Sequence, residues 1–484
     1  MKRINKHQDD RERNEQKAEQ LQSQESNRTK ELGTESITKL LLKFSIPAVI
    51  AMIVNAIYNI VDRIFVGKYV GENALAGLTI TFPVMMLIFA FAGLVGVGGA
   101  ALMSIRFGEK DYRGVSHVLG NMLSIGTIIT GITLFIIFMN LTGILTFFGA
   151  TPEIVEPASD YMRIILAGFI FQMFAFSLNG AVRTEGRPIL SMSSMLASAL
   201  TNIVLDYVFI AIFGWGVKGA AYATIIGQFA GFLILSSFYL RGKSSIHLKL
   251  GDLIPDWKVM ISILSIGFAS FVTTLGTSVS MTFINRGLSL YGGVAAITSM
   301  GAINSLFTLF IMPIMGLQQG MQPIIGYNHG ARLHRRVYET LRKVLFVAIG
   351  FSTIVFLALE LFPELFISMF LDPSSETIEV AAKGLRIFIL MLPLLGINLI
   401  GVAFFQSIAR GTLSIILGVL RQFIILIPAV LILPQFIGLN GVWAATPIAD
   451  GIAILVTAII LVSNYRREIK DDSRKNEYTA SEVQ

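Results

Sequence analysis

The sequence predicts an all-α membrane protein of about twelve transmembrane helices in two pseudo-symmetric six-helix bundles. Three observations carry this. The 484 residues are 54% hydrophobic and only 14% charged, a balance that soluble chains rarely reach. Apolar runs of twenty or more residues recur, each long enough to cross a hydrocarbon layer as a helix. Motifs of the first half return about 220 residues later in the second.

Residues 1–38 read as a disordered cytoplasmic tail. Up to Glu35 it holds roughly eight basic and eight acidic residues, with few aromatics. It lacks the apolar core and cleavage site of a signal peptide, so the first membrane helix is expected to act as the targeting signal. Spans are expected near 41–66, 75–104, 115–139, 158–182, 188–213 and 219–240. The second set is expected near 258–286, 294–326, 338–361, 380–407, 412–434 and 440–463. This divides the chain into an N-terminal lobe (39–241), a cytoplasmic linker (242–257), a C-terminal lobe (258–463) and a cytoplasmic tail (464–484). Prolines such as Pro47, Pro83, Pro393 and Pro428 interrupt many spans, either as static kinks or as bending points.

The net charge is +7, which in a soluble chain would suggest nucleic acid. Here both tails are nearly balanced, and the excess sits in loops between apolar segments. Loops with Arg106, Lys110 and Arg113, with Arg183 and Arg187, with Arg241, Lys243, Lys249 and Lys258, and with Arg332, Arg335 and Arg336 alternate with basic-poor loops. One opposite loop is acidic only, with Glu364, Asp372, Glu376 and Glu379. The positive-inside rule then puts both termini in the cytoplasm. The chain has no cysteine, so it forms no disulfide and no thiolate metal site.

The repeat is specific. Gly216-Val-Lys-Gly-Ala-Ala-Tyr-Ala-Thr224 matches Gly438-Leu-Asn-Gly-Val-Trp-Ala-Ala-Thr446. Gly98 and Gly108 match Gly320 and Gly330, and Phe44-Ser-Ile-Pro47 matches Leu264-Ser-Ile-Gly267. Six spans per repeat insert both halves the same way up, about an axis along the membrane normal. A cleft between two such bundles is a transport architecture. Gly108 and Gly330, each followed by basic residues, read as helix C-caps.

Carboxylates inside spans are few. Asp62 lies late in the first, Asp206 late in the fifth and Asp450 in the last. Each costs roughly 3 kcal/mol at the bilayer centre on insertion scales. One alone could be a helix-end acid reaching the headgroups. However, Asp62, Asp206 and Thr224 all fall roughly 6 to 11 Å below the outer boundary, with Asn202 one turn deeper than Asp206. Asn55, Asn59 and Asp62 share one helical face. Two carboxylates close together in low dielectric cannot both ionise cheaply, so the pair can hold a proton. Alternatively, the carboxylates, an amide oxygen and a hydroxyl form an oxygen cage for a hard cation such as Na⁺.

The second half differs. Pro428 stands where Asp206 would align. Arg421 and Asp450 both fall near the midplane and are expected to pair, either for packing and insertion or for substrate gating. Tyr161, at the depth of Asp62, reads from depth alone as an interfacial-belt tyrosine. Gln172, Asn398, Gln406 and other intramembrane amides line the cleft or bond between helices. No metal cluster, P-loop or catalytic triad is present in the sequence, which argues against an enzyme and for an ion gradient as the energy source.

Tyr58-Asn-Ile-Val-Asp62-Arg-Ile-Phe-Val-Gly67, Asn202-Ile-Val-Leu-Asp206 and Gly219-Ala-Ala-Tyr-Ala-Thr224 resemble helices one, five and six of the multidrug and toxic compound extrusion family. The resemblance covers roughly residues 40 to 463. It implies a cation- or proton-coupling site at Asp62, Asn202, Asp206 and Thr224, with Tyr161 beside it. It also implies antiport of cationic amphiphilic drugs against H⁺ or Na⁺ in the bacterial cytoplasmic membrane, with no other cofactor. The chain is read as a monomer in lipid, with small organic cations as partners and no nucleic acid. A lipid-linked sugar flippase and an exporter of an endogenous metabolite are the alternatives. The cysteine-free chain allows a direct topology test. Ser23→Cys and Ser473→Cys should react with an impermeant maleimide only in opened cells, and Thr151→Cys in intact ones. Labelling of either terminus in intact cells would overturn the orientation.

Overall fold

The computed structural model describes residues 29–70, 72–148, 150–246, 248–371 and 377–481. The Asn59 side chain, and Asp372 and Glu376 of the acidic loop, lie outside the described residues. Six helices form the first half: α1 (Ile37–Tyr69), α2 (Glu72–Gly108), α3 (Tyr112–Met139), α4 (Pro152–Thr184), α5 (Pro188–Asp206) and α6 (Gly216–Leu240). Trp257–Gly330 runs 74 residues, but Gly293 (φ 62°, ψ −153°) breaks it. A straight helix of that length would extend about 110 Å, more than three times the hydrocarbon thickness. It is therefore two spans, α7 (257–292) and α8 (294–330). The second half continues with α9 (His334–Leu361) and with α10, made of Thr377–Phe388 and Leu392–Ser407 bent by 53°. Then come α11 (Gly411–Val419, π-helical over Leu420–Leu426, then Ile427–Ile437) and α12 (Leu439–Ser481). Among the described residues these make twelve apolar spans, and their order repeats after six.

Among the described residues, three packed clusters form the interior. Leu119, Phe169, Leu166 and Met173 centre the first, which also takes in Met260, Ile263, Ile324 and Tyr327 of the second half. Trp443, Leu385 and Leu288 centre the second cluster, and Phe404, Phe405 and Val344 the third. Large apolar side chains such as Phe135, Phe346 and Leu455 face outward, as a lipid-facing surface requires.

The two lobes meet backbone to backbone at the ends that the charge pattern assigns to the inner side. A Cβ on Gly108 would collide with the Tyr327 carbonyl oxygen, and one on Gly330 with that of Ile105. A Cβ on Gly98 would strike Ile263 and Gly267, and one on Gly320 would strike Ser45. The first two contacts are related by the repeat itself, since Gly330 and Ile105 are the counterparts of Gly108 and Tyr327, and the second two lie within a turn of the same relation. The expectation of C-caps at Gly108 and Gly330 is corrected here. Both are helical, and the left-handed positions just after the helices are Lys110 (φ 61°) and Arg332 (φ 58°). The glycines are small because two helices must touch.

Order also begins earlier than composition implies. Residues 29–34 are helical, and Leu32 is 1% exposed. Asn328 Nδ2 donates to the Leu32 carbonyl at 2.9 Å, and Arg336 Nη2 donates to Leu32 and Glu35 carbonyls at 3.1 and 2.6 Å. The segment before α1 is thus strapped to the second lobe. The remainder of the expected disordered tail, residues 1–28, lies outside the described residues.

Bulk in the seam should force the inner ends apart. With Ser104→Cys as reporter, buried beside Gly326, Gly330→Leu should speed maleimide labelling from the cytoplasmic side. Gly350→Leu, where an added Cβ meets nothing within 4 Å, should leave the rate unchanged. Equal rates in both variants would contradict the seam.

Candidate ion-coupling site

Helix α5 ends its regular course at Asp206 and continues as a π-helix over Tyr207–Ile212, with Phe213 N–H reaching back five residues to the Val208 carbonyl at 2.9 Å. Such bulges shift the side chains that follow and are frequent at functional sites. Helix α6 lies close because Gly227 meets α5 directly: a Cβ there would sit 2.7 Å from the Ser198 carbonyl oxygen and 3.2 Å from Asn202. That approach lets Asn202 Nδ2 donate to Thr224 Oγ1 at 3.3 Å.

Asp206 is 0% exposed and Asn202 is buried. Among the described residues, no hydrogen-bond donor reaches either Asp206 oxygen, nor Asn202 Oδ1. The group set against Asp206 is the Asp62 carboxyl of α1. The structure therefore brings Asp62, Asn202, Asp206 and Thr224 together. Asn55 lies two turns inward of Asp62 on α1 and is half-buried. Tyr161 is buried in the same core and not in an interfacial belt, contrary to the reading from depth alone.

A buried carboxylate without a donor is costly unless a cation or a proton joins it. Asp206 and Asp62, with Asn202 Oδ1 and Thr224 Oγ1, make an acceptor-rich cluster. Depth in the sequence placed these residues in one layer. The π-helix and the Gly227 contact were not anticipated, although Gly227 and Gly231, one turn apart on α6, were a visible sign of close packing.

The second lobe brings Arg421 and Asp450 together, with Nε donating to Oδ1 at 2.6 Å. Gln422 beside it donates to Thr277 Oγ1 at 2.9 Å and accepts from Ser280 Oγ at 3.2 Å. Asn398 bonds Thr457 and Gln406 bonds Ser270, both between helices. Gln172 Oε1 is buried with no donor among the described residues.

Residues 47–208 and 266–432 match the MatE family profile, one segment in each half. The chain belongs to the MatE family. Among MatE relatives, multidrug export protein MepA of Staphylococcus haemolyticus (strain JCSC1435) is 28% identical over 88% of this chain and 94% of its own. MepA of Staphylococcus aureus (strain MSSA476) is 27% identical over 88% and 93%. A multidrug resistance MATE transporter of the MOP superfamily, solved outward-facing, superposes with a TM-score of 0.85 at 27% identity, over 90% of this chain and 98% of that one. A MATE structure in a bent conformation gives 0.86 at 26% identity, over 92% and 99%. These MatE proteins are transporters, not enzymes.

The site separates function from stability. Asp206→Asn removes a buried charge that no described donor supports, so the purified protein should melt no lower than the parent. Asn202→Leu removes the hydrogen bond to Thr224 and should cost about 1 kcal/mol. Melts followed by intrinsic fluorescence check both. A large loss on Asp206→Asn would make the carboxylate structural.

Proposed function

We propose that this protein is an ion-coupled antiporter that exports cationic amphiphilic compounds by alternating access. The single observation behind this reading is the Asp206 carboxylate, enclosed beside Asp62 with no described donor. The names of the MepA relatives support export of drugs, and the cationic amphiphilic class follows from the family resemblance.

Two adjacent buried carboxylates repel each other when both are ionised. Entry of a proton or Na⁺ from the outer side removes that repulsion and lets α1, α5 and α6 settle together. Loss of the ion restores the repulsion. The two charge states thus favour two packings, and a ligand that prefers one packing opposes the ion that prefers the other. Helix α1 carries Asp62 near its outer end and Ser45 against Gly320 in the inner seam. One helix therefore connects ion binding to closure of the cytoplasmic side.

A lipid-linked sugar flippase would need a basic cavity for pyrophosphate. Here the charge of the midplane arginine is balanced by Asp450, which leaves no net positive charge to draw a pyrophosphate and favours the exporter reading.

Dye efflux from everted vesicles, with pH and Na⁺ gradients imposed separately, tests the proposal. One gradient should drive the parent protein, and Asp206→Asn should abolish the driven component while membrane insertion persists. Full dye export by that variant would refute the coupling assignment.

A further inference from the structure

The second lobe holds a charged pair that this coupling scheme does not use. Arg421 lies about 15 Å from the inner end of α11, and Asp450 about 16 Å from the outer end of α12. In a hydrocarbon layer of about 30 Å both are near the midplane. Their side chains are 15% and 5% exposed. The contact is one-sided: Arg421 reaches Asp450 through Nε alone, at 2.6 Å.

A guanidinium has five N–H donors in a fixed fork. Among the described residues, Nη1 and Nη2 of Arg421 meet no acceptor. Unmet donors at this depth are expensive, so they must face water or an acceptor carried by a ligand. The neighbouring side chain cannot supply one, because Gln422 is held by Thr277 and Ser280 of α7.

Two departures from regular helix converge on this point. Arg421 lies inside the π-helix Leu420–Leu426, where Pro428 has no N–H to offer the Ile424 carbonyl. Helix α10 bends by 53° between Phe388 and Leu392. There Pro393 leaves the Ile389 carbonyl to be taken by Leu392 N–H at 2.8 Å. The bend touches the pair's surroundings: a Cβ on Gly451, next to Asp450, would sit 3.6 Å from the Met391 sulfur. Broken helices near the midplane are where membrane transporters build substrate and ion sites. Farther out along α10 and α12 lies a cavity of about 280 Å³ lined by Lys383, Asn440 and Trp443. Among the described residues, its charged lining is also cationic.

We propose that the free Nη edge of Arg421 is the subsite that holds the carboxylate of a zwitterionic amphiphile, and so sets the preference between such a compound and a simple cation. Asp450 cancels the long-range field of the arginine and fixes its rotamer. A bare anion therefore gains little from distance, while a carboxylate on a molecule already held by its apolar and cationic parts gains two directional, charge-assisted hydrogen bonds. This deepens the exporter reading and rests on it.

Rhodamine 110 and rhodamine 123 differ only in a carboxylate against its methyl ester. Their dissociation constants for the full-length purified protein, read by fluorescence polarisation, form a ratio that cancels general effects on folding and pocket shape. Arg421→Gln/Asp450→Asn leaves no charge unpaired and should shift that ratio at least about tenfold toward the ester. Arg421→Asp/Asp450→Arg keeps a pair but moves the donors to α12, and should shift it the same way. An unchanged ratio in a folded variant, or a parent protein that binds only the ester, would overturn the subsite. Failure of the parent to export rhodamine 123 under either gradient would instead strike the exporter reading.

Discussion

Backbone contact between the lobes at their inner ends is the constraint on which the rest depends. Helices can approach this closely only where no Cβ intervenes. Gly98, Gly108, Gly320 and Gly330 supply that clearance on both sides of the repeat axis. Because the contacts are reciprocal, closing one closes its symmetry mate. The strap of residues 29–34 then adds hydrogen bonds from Asn328 and Arg336 across the same face. Among the described residues, the close glycine contacts between lobes fall in the inner halves of α1, α2, α7 and α8.

Within this symmetric frame the lobes handle buried charge in opposite ways. The first encloses the Asp206 carboxylate, which no described donor reaches, beside that of Asp62, and in the proposed scheme a mobile cation joins them. The second holds an arginine and an aspartate that complete each other in charge but not in hydrogen bonding. Low dielectric makes both arrangements consequential, since an unmet charge or donor costs far more in hydrocarbon than in water. A π-helix accompanies the charged residue of α5 and contains that of α11.

Much of this was legible in sequence. Hydropathy gave the spans, because lipid allows few alternatives to an apolar helix. Arithmetic along helices gave the shared layer of Asp62, Asp206 and Thr224. The repeat exposed the four glycines, but local pattern suggested caps where the cause was contact between residues more than 200 positions apart. The same distance hid the ordering of Leu32, whose partners are Asn328 and Arg336. Tyr161 was misplaced because depth says nothing about which way a side chain turns. Pro393 and Pro428 were visible as interruptions, yet their sequence could not say that one would bend a helix and the other accompany a π-helix.

The central claim is that the ion at Asp206 and the exported compound oppose each other. Linkage requires the opposition to be reciprocal. Adding a cationic dye to purified protein in weakly buffered solution, with a pH indicator and a Na⁺-selective electrode, measures it directly. The account predicts that dye binding to the parent displaces close to one coupling ion, proton or Na⁺, and that Asp206→Asn displaces none while still binding dye. Dye binding that displaces neither ion from the parent, or equal displacement from the variant, would contradict it.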